Sequence, residues 1–253
     1  MQNLKTLLKK KLPAQVSYPL RVAKALRVDQ DLRALEQLCK TCNGDESVAI
    51  DVGANVGIYA AVMSRYFKQV LCVEPNPSCV NYLRTVLKDN CILFDYALSS
   101  EEGTAELIVP TLNGEPQTSL GTISPKNTLA VESTVLRETP CVSRIPVRVT
   151  SLDLLLKNNL ALIKGKVRLL KVDVEGHELQ VLQSASGLLT MDRPAVVVEL
   201  EARHGTPVEE VVQFLTSQGY RVSSMSRSGL NAQTLDSLTP LSNHAVNYVF
   251  LPN

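Results

Sequence analysis

The residues best suited to chemistry in this chain are carboxylates and one histidine that follow apolar runs. Asp51 comes first, in VAIDVGANVGIYA. It opens a D-x-G-x-x-x-G turn completed by Gly53 and Gly57, with Asn55 between the glycines. The apolar run before the acid reads as a buried strand, and the segment after Gly57 has helical spacing. Gly53 is expected to let backbone approach a ligand, and Gly57 to let the helix pack on the strand. The turn is not G-x-G-x-x-G, because Ala54 and Val56 hold the intermediate places, and no G-K-[ST] follows. Both missing motifs serve pyrophosphate or triphosphate. An acid at this place repels phosphate and attracts a cation.

The next apolar run, in LCVEPNP, ends at Glu74, with Asn76 in the turn that follows. A carboxylate at the end of a second strand can accept two hydrogen bonds from a vicinal diol such as ribose. In FDYALS, Asp95 is placed to accept from an adenine amino group, while backbone around Tyr96 and Ala97 meets the ring. Together these positions describe a site for a nucleoside that carries a positive group and no phosphate chain. S-adenosylmethionine is such a molecule.

A second cluster, KVDVEGHE, follows the apolar run VRLLKV. Asp173, Glu175 and His177 stand at or just past a strand end, and Gly176 permits the turn into a helix. Methyl transfer is an in-line displacement, so positioning supplies much of the rate. An alcohol acceptor must also lose its proton, which a base assists. His177 is the candidate base, since a helix N-terminus favours neutral imidazole. Asp173 or Glu175 would orient it or hold substrate hydroxyls. Glu199 and Glu201 end the next strand and are expected beside the same cleft. Several carboxylates together would suit Mg²⁺, but the sequence offers no complete ligand set, so no metal ligand is assigned. His204 and His244 belong to no motif. Cys39 and Cys42 form one C-x-x-C without the second pair or spaced histidines of a zinc site.

These groups need a scaffold. The chain has 253 residues, of which 45% are hydrophobic and 20% charged, enough to bury a full core. Helix is expected over 31–40, 58–67, 78–88, 152–159, 177–187 and 207–218. Strands are expected over 48–53, 69–75, 91–99, 103–110, 145–150, 166–176, 194–201, 219–226 and 245–253. The strand over 103–110 would pair as a hairpin with what precedes it. Alternation of this kind argues for an α/β fold with a doubly wound, mostly parallel sheet, whose ligands bind outside the carboxyl ends of the strands. Residues 111–145 are rich in Thr, Ser and Pro and read as a lid or acceptor loop, with Ser119 in its most ordered part. A net charge of +1 gives no case for nucleic acid. The first 28 residues, however, hold Lys5, Lys9, Lys10, Lys11, Arg21, Lys24 and Arg27 and no acid. Leucines at helical spacing predict a short basic amphipathic helix over 1–12, a candidate for anionic lipid or a partner surface. The cysteine usage and the lack of a secretory signal suit a reducing cytoplasm.

In order, IDVGANVGIYA, VEPNP, ALSSEEGTAEL, VTSLDLLL, LLKVDVEGHELQVLQSA and PAVVVELE resemble the pattern of the FkbM-type S-adenosylmethionine-dependent methyltransferases. The resemblance covers about residues 48–200. It implies a Rossmann-like class I methyltransferase domain over 46–253, preceded by a helical extension over 1–45. It also implies O-methylation of a hydroxyl on a sugar, glycolipid or secondary metabolite. Two other readings stay open: a binding module of the same fold without activity, and a dinucleotide-dependent oxidoreductase.

Overall fold

The computed structural model describes residues 13–112, 115–124, 141–200, 208–226, 229–232 and 246–253. The basic helix expected over 1–12 lies outside them, as do Glu201, His204, His244 and the middle of the 111–145 segment.

The described chain enters on two helices, α1 (Ala14–Val28) and α2 (Gln30–Cys42). Only the second lies among the helices expected from the sequence. The first carries Pro19 in its interior, which removes a backbone donor and hides the helical signal. Asp29 separates the two by capping α2, its carboxylate accepting from the amides of Asp31 at 2.9 Å and Leu32 at 3.0 Å. Then β1 (Ser47–Val52), α3 (Ile58–Met63), β2 (Gln69–Val73), α4 (Pro77–Val86) and β3 (Cys91–Phe94) alternate as expected.

The strand expected over 91–99 breaks after Phe94. Its second part, β4 (Ala97–Leu98), joins a separate four-stranded sheet with β5 (Gly103–Leu112), β6 (Glu115–Pro116) and β7 (Cys141–Thr150). The expected hairpin between 103–110 and the preceding strand does not form. Instead β5 pairs antiparallel with β7, from Gly103 opposite Val149 to Thr111 opposite Cys141, and β4 pairs parallel with β7. The reason is a shared apolar face: Leu107 and Val109 on β5 pack with Val147 and Val149 on β7 and with Ala97 as a small second core. The 111–145 segment is therefore partly strand, with a 3₁₀ turn at Thr118–Leu120.

The remaining elements are α5 (Leu152–Asn158), β8 (Lys166–Val172), α6 (Glu178–Gln183), α7 (Ser186–Met191), β9 (Ala195–Leu200), α8 (Val208–Ser217), β10 (Tyr220–Ser226), β11 (Gly229–Ala232) and β12 (Val246–Pro252). The helix expected over 177–187 is two helices. Asp153 restarts it, accepting from the amides of Gly187 at 2.6 Å and Leu188 at 2.9 Å and so capping α7.

Among the described residues the main sheet has the order β11-β10-β12-β9-β8-β1-β2-β3. Strands β9, β8, β1, β2 and β3 run parallel, and β12, β10 and β11 continue antiparallel. Side chains alternate across β1: Val48, Ile50 and Val52 enter the core under α5–α8, while Ala49 enters the core under α1–α4. The chain leaves β1 towards β2 on one side and returns to β8 on the other, so the carboxyl ends of β1 and β8 form the switch point where such a sheet opens a crevice. No helix among the described residues is long and apolar enough to cross a membrane. Helices α1 and α2 are part of the main body, since Tyr18, Val22, Leu32 and Leu35 are buried in the same core as β1 and β2.

Candidate active site

A cleft with an empty volume of about 970 Å³, the solvent at its mouth included, opens at the carboxyl ends of β1, β2, β8 and β9. Gly53 and Asn55 form its wall after β1, Glu74 and Asn76 after β2, Tyr96 and Ala97 after β3. Asp173, Glu175 and His177 follow β8, and Glu199 stands near the end of β9. Thr118, Ser119 and Thr122 reach it from the second sheet.

The turn after β1 is tied to the turn after β2 through Glu74. Its two carboxylate oxygens accept from the amides of Asn55 at 2.7 Å and Asn76 at 2.8 Å. Burial pushes Glu74 up to about 7, against the pull of these amides. Asn55 occupies a left-handed conformation, φ 49°, and its side-chain oxygen meets the Cys79 thiol and the Thr118 hydroxyl, each at 3.4 Å. Asn76 spends its side chain on capping α4, accepting from the Ser78 amide at 3.0 Å. Gly53, at φ 79°, stands where a Cβ would lie 1.8 Å from the Asp173 carbonyl oxygen. What approaches closely there is the end of β8.

Beneath the turn lies a buried ionic group. Lys171, 1% exposed, is opposite Asp51 in the β1–β8 register. Its ammonium is 2.8 Å from Asp173 Oδ2 and 4.2 Å from the centre of the Tyr59 ring. Burial draws Lys171 down, but Asp173 and Asp51 outweigh it and hold the amine above its ordinary value. Asp51 is fully buried, and neither carboxylate oxygen has a hydrogen-bond partner among the described residues. Burial pushes it up to about 6, with Lys171 pulling down and Asp173 pushing further up. The nearby Ala60 amide, too far or too oblique for a hydrogen bond, pulls it down slightly. Glu199 is pushed up to about 8 by burial and by Asp173.

The D-V-E-G turn after β8 is held from behind by Glu178, 2% exposed, which accepts from the Val174 and Gly176 amides at 3.3 and 3.0 Å. Glu175 is left-handed, φ 55°, and its carbonyl accepts from the Thr122 hydroxyl at 2.7 Å, joining the turn to the second sheet. His177 Nε2 is 3.0 Å from Ser99 Oγ. Burial lowers the imidazole to about 4. Burial, and not a helix dipole, keeps it neutral.

Three of the expected site residues do not line the cleft. Gly57 lies behind it: a Cβ there would be 2.7 Å from Leu83 and 2.8 Å from the Tyr18 hydroxyl, so its close approach is to α4 and α1 and not to a strand. Asp95 points outward to an ion pair with Arg148 at 2.6 Å, because β3 ends at Phe94 and the chain turns towards the second sheet. It therefore acts at one remove: Arg148 stacks 4.2 Å over the Tyr96 ring and donates to its hydroxyl at 2.9 Å. Asp51 lies under the turn, beside Lys171. Sequence reasoning passed over Lys171, Tyr59, Ser99, Arg148 and Tyr18, whose partners are distant in the chain. A lysine inside the apolar strand VRLLKV was the one available signal. Among the described residues no group of three or more His, Cys, Asp or Glu side chains is arranged to hold a metal ion.

A parallel sheet reversing between β1 and β8, with an acid–glycine turn after β1 and acids after β2 and β8, defines the Rossmann-like class I methyltransferase fold. The family described as Methyltransferase FkbM domain matches residues 51–222, and the chain belongs to it. A comparison with curated proteins finds no match. Among solved structures, the chain is similar to a methyltransferase FkbM from Methylobacillus flagellatus KT, at 15% identity and a TM-score of 0.49, over 81% of this chain. The match spans 43% of the length of that protein. An O-methyltransferase from Bacillus cereus, solved in complex with SAH, matches at 8% identity and a TM-score of 0.48, over 100% of this chain and 96% of the other. A TehB-like SAM-dependent methyltransferase from Corynebacterium glutamicum matches at 12% identity and a TM-score of 0.46, over 94% and 98%.

Proposed function

We propose that this chain is an S-adenosylmethionine-dependent O-methyltransferase acting on a hydroxyl of a sugar, glycolipid or secondary metabolite. The observation that carries the proposal is the division of the cleft. At its β2 end stands Glu74, a buried carboxylate between two turns, suited to a ribose diol. At its β8–β9 end stand Asp173, Glu199 and His177, the groups with which an acceptor hydroxyl could be held and deprotonated. Perturbed acids and bases gathered in one cleft favour an enzyme over a binding module. The absence of a pyrophosphate motif argues against a dinucleotide enzyme.

The residues fit the cofactor. The buried Asp51 carboxylate places negative charge beneath the turn, which suits the cationic amino-acid end through its field. The Gly53–Asn55 backbone, Tyr96 and Ala97 line the cleft and suit the nucleoside. When bound, S-adenosylmethionine supplies an electrophilic methyl group on a sulfonium. The chain's own residues do the rest. Asp173 and Glu175 orient the acceptor so that its oxygen faces that methyl in line. As the oxygen forms its new bond, its proton becomes strongly acidic, so even a weak base can take it. His177, neutral down to about pH 4, offers a lone pair throughout the physiological range, and Ser99 fixes the ring. A reducing cytoplasm is the compartment we propose, supported by the free thiols of Cys39, Cys42, Cys72, Cys79 and Cys91. Calorimetry with S-adenosylmethionine, S-adenosylhomocysteine and NAD tests the cofactor. Binding of the first two without NAD is expected, and NAD alone would sink the reading.

A further inference from the structure

We propose that Lys171 is a positioning residue, the counter-charge that lets Asp51 and Asp173 stand together as carboxylates beneath the cofactor turn. The proposal rests on the reading that the cleft takes S-adenosylmethionine. A lysine in the middle of β8, between Leu170 and Val172 and 1% exposed, occupies a place that an apolar side chain would fill without loss of hydration. Buried ammonium groups persist only where carboxylates replace the water they give up.

Among the described residues Lys171 makes one ion pair, to Asp173 at 2.8 Å, and its ammonium lies over the Tyr59 ring. On the neighbouring strand Asp51 stands opposite it, with both oxygens unpartnered among the described residues. The charged and titratable groups whose fields meet here are Asp51 from β1, Cys72 opposite it on β2, Asp173 after β8, Glu199 from β9, Tyr59 from α3 and Tyr18 from α1. Asp29 and Asp31 at the start of α2 and Glu74 after β2 lie further out. Apart from Lys171 these are all acids. Without the ammonium, Asp51, fully buried beside the Asp173 carboxylate, takes up a proton near neutrality. A protonated Asp51 no longer adds its negative charge to the field beneath the turn, where a cationic ligand would be attracted. Lys171 therefore sets the pH range in which the cofactor end of the cleft is complete, without touching the ligand itself.

The test is the affinity for S-adenosylmethionine of wild type, Lys171→Met and Lys171→Met/Asp51→Asn, by calorimetry between pH 6 and 9. Failure of the wild type to bind would overturn the cofactor reading first. With wild-type binding in hand, Lys171→Met should bind about tenfold more weakly at pH 7 and recover towards pH 9, the tenfold-per-unit dependence of one added proton. The double variant should show no such recovery, since its amide does not titrate. Circular dichroism of the ligand-free proteins checks the fold. A single variant that fails to fold beside a double variant that folds also supports the counter-charge. Loss of affinity by the same factor at every pH, an unchanged affinity, or failure of both variants to fold would overturn it and leave the lysine a packing role.

Discussion

At the scale of single residues, Glu74 and His177 carry the sharpest expectations. Glu74 holds two backbone amides as well as facing the cleft, so its loss unties both turns. Glu74→Ala should weaken S-adenosylmethionine by roughly 1.5–3 kcal/mol, the scale of charge-assisted hydrogen bonds. Glu74→Gln, which keeps one acceptor oxygen, should fall between it and wild type. Calorimetry reads both, and unchanged affinity in the alanine variant would remove Glu74 from the ribose. His177→Ala should lower turnover by about 10²–10⁴, the usual reach of a general base. Cofactor affinity should change by less than about threefold, because the imidazole stands at the β8 end of the cleft. The pH–rate profile separates this histidine from an exposed one. With the imidazole held at about 4, the wild-type rate should not drop through pH 6.5 on its account. A histidine variant with wild-type turnover would assign the rate to positioning alone. The sequence makes Glu74 and His177 legible because each sits in a turn that follows an apolar run. It misleads at Asp95, where the strand expected to run on to Ser99 ends at Phe94 and Arg148, more than fifty residues on, claims the carboxylate.

At the scale of elements, the strands and helices flanking the site were legible from period and turn chemistry. Ser151 opens α5, as expected, by accepting from the Leu154 amide at 3.2 Å. The second sheet was not legible. Its pairing of β5 with β7 depends on an apolar face shared by segments some forty residues apart, and periodicity within one segment cannot report a partner. Helix α1 was missed for the local reason of Pro19, and with it a link to the site. The Tyr18 hydroxyl, buried, donates to the Gly57 carbonyl, so α1 braces the turn that follows β1. The same carbonyl accepts from the Ala61 amide at 2.9 Å, so the hydroxyl is one of two anchors. Tyr18→Phe should cost about 1 kcal/mol of stability, the net value of one buried hydrogen bond. It should also weaken S-adenosylmethionine by about threefold, or 0.65 kcal/mol. Urea denaturation and calorimetry on one preparation measure the two. A stability loss with unchanged affinity would mean that α1 packs on the core without steadying the cofactor turn.

At the scale of the whole molecule, the buried acids make stability depend on pH in an unusual direction. Glu74 and Glu199 are raised from 4.5 to about 7 and about 8 in the folded chain. The folded state therefore binds their protons more tightly than the unfolded state. Their contribution is full below about pH 4.5 and is lost as the pH rises through 7 and 8. Asp51, raised to about 6, loses its share earlier. His177, lowered from 6.5 to about 4, works the other way, gaining stability between those values and contributing a constant amount above them. The interval from pH 6.5 to 8 isolates the carboxylates, and the thermal midpoint of the ligand-free protein should fall across it by several degrees. A flat or rising midpoint would mean that these acids are better solvated than their burial implies. The central claim is the proposal that the cleft passes a methyl group to a hydroxyl. The direct measurement is transfer of labelled methyl from S-adenosylmethionine into cell extract fractionated into polysaccharide, lipid and small molecules, with wild type and His177→Ala side by side. Label is expected in an alkali-stable methyl ether with wild type and nearly none with the variant. Label held only in amines or thioethers, or equal transfer by both proteins, would contradict the account.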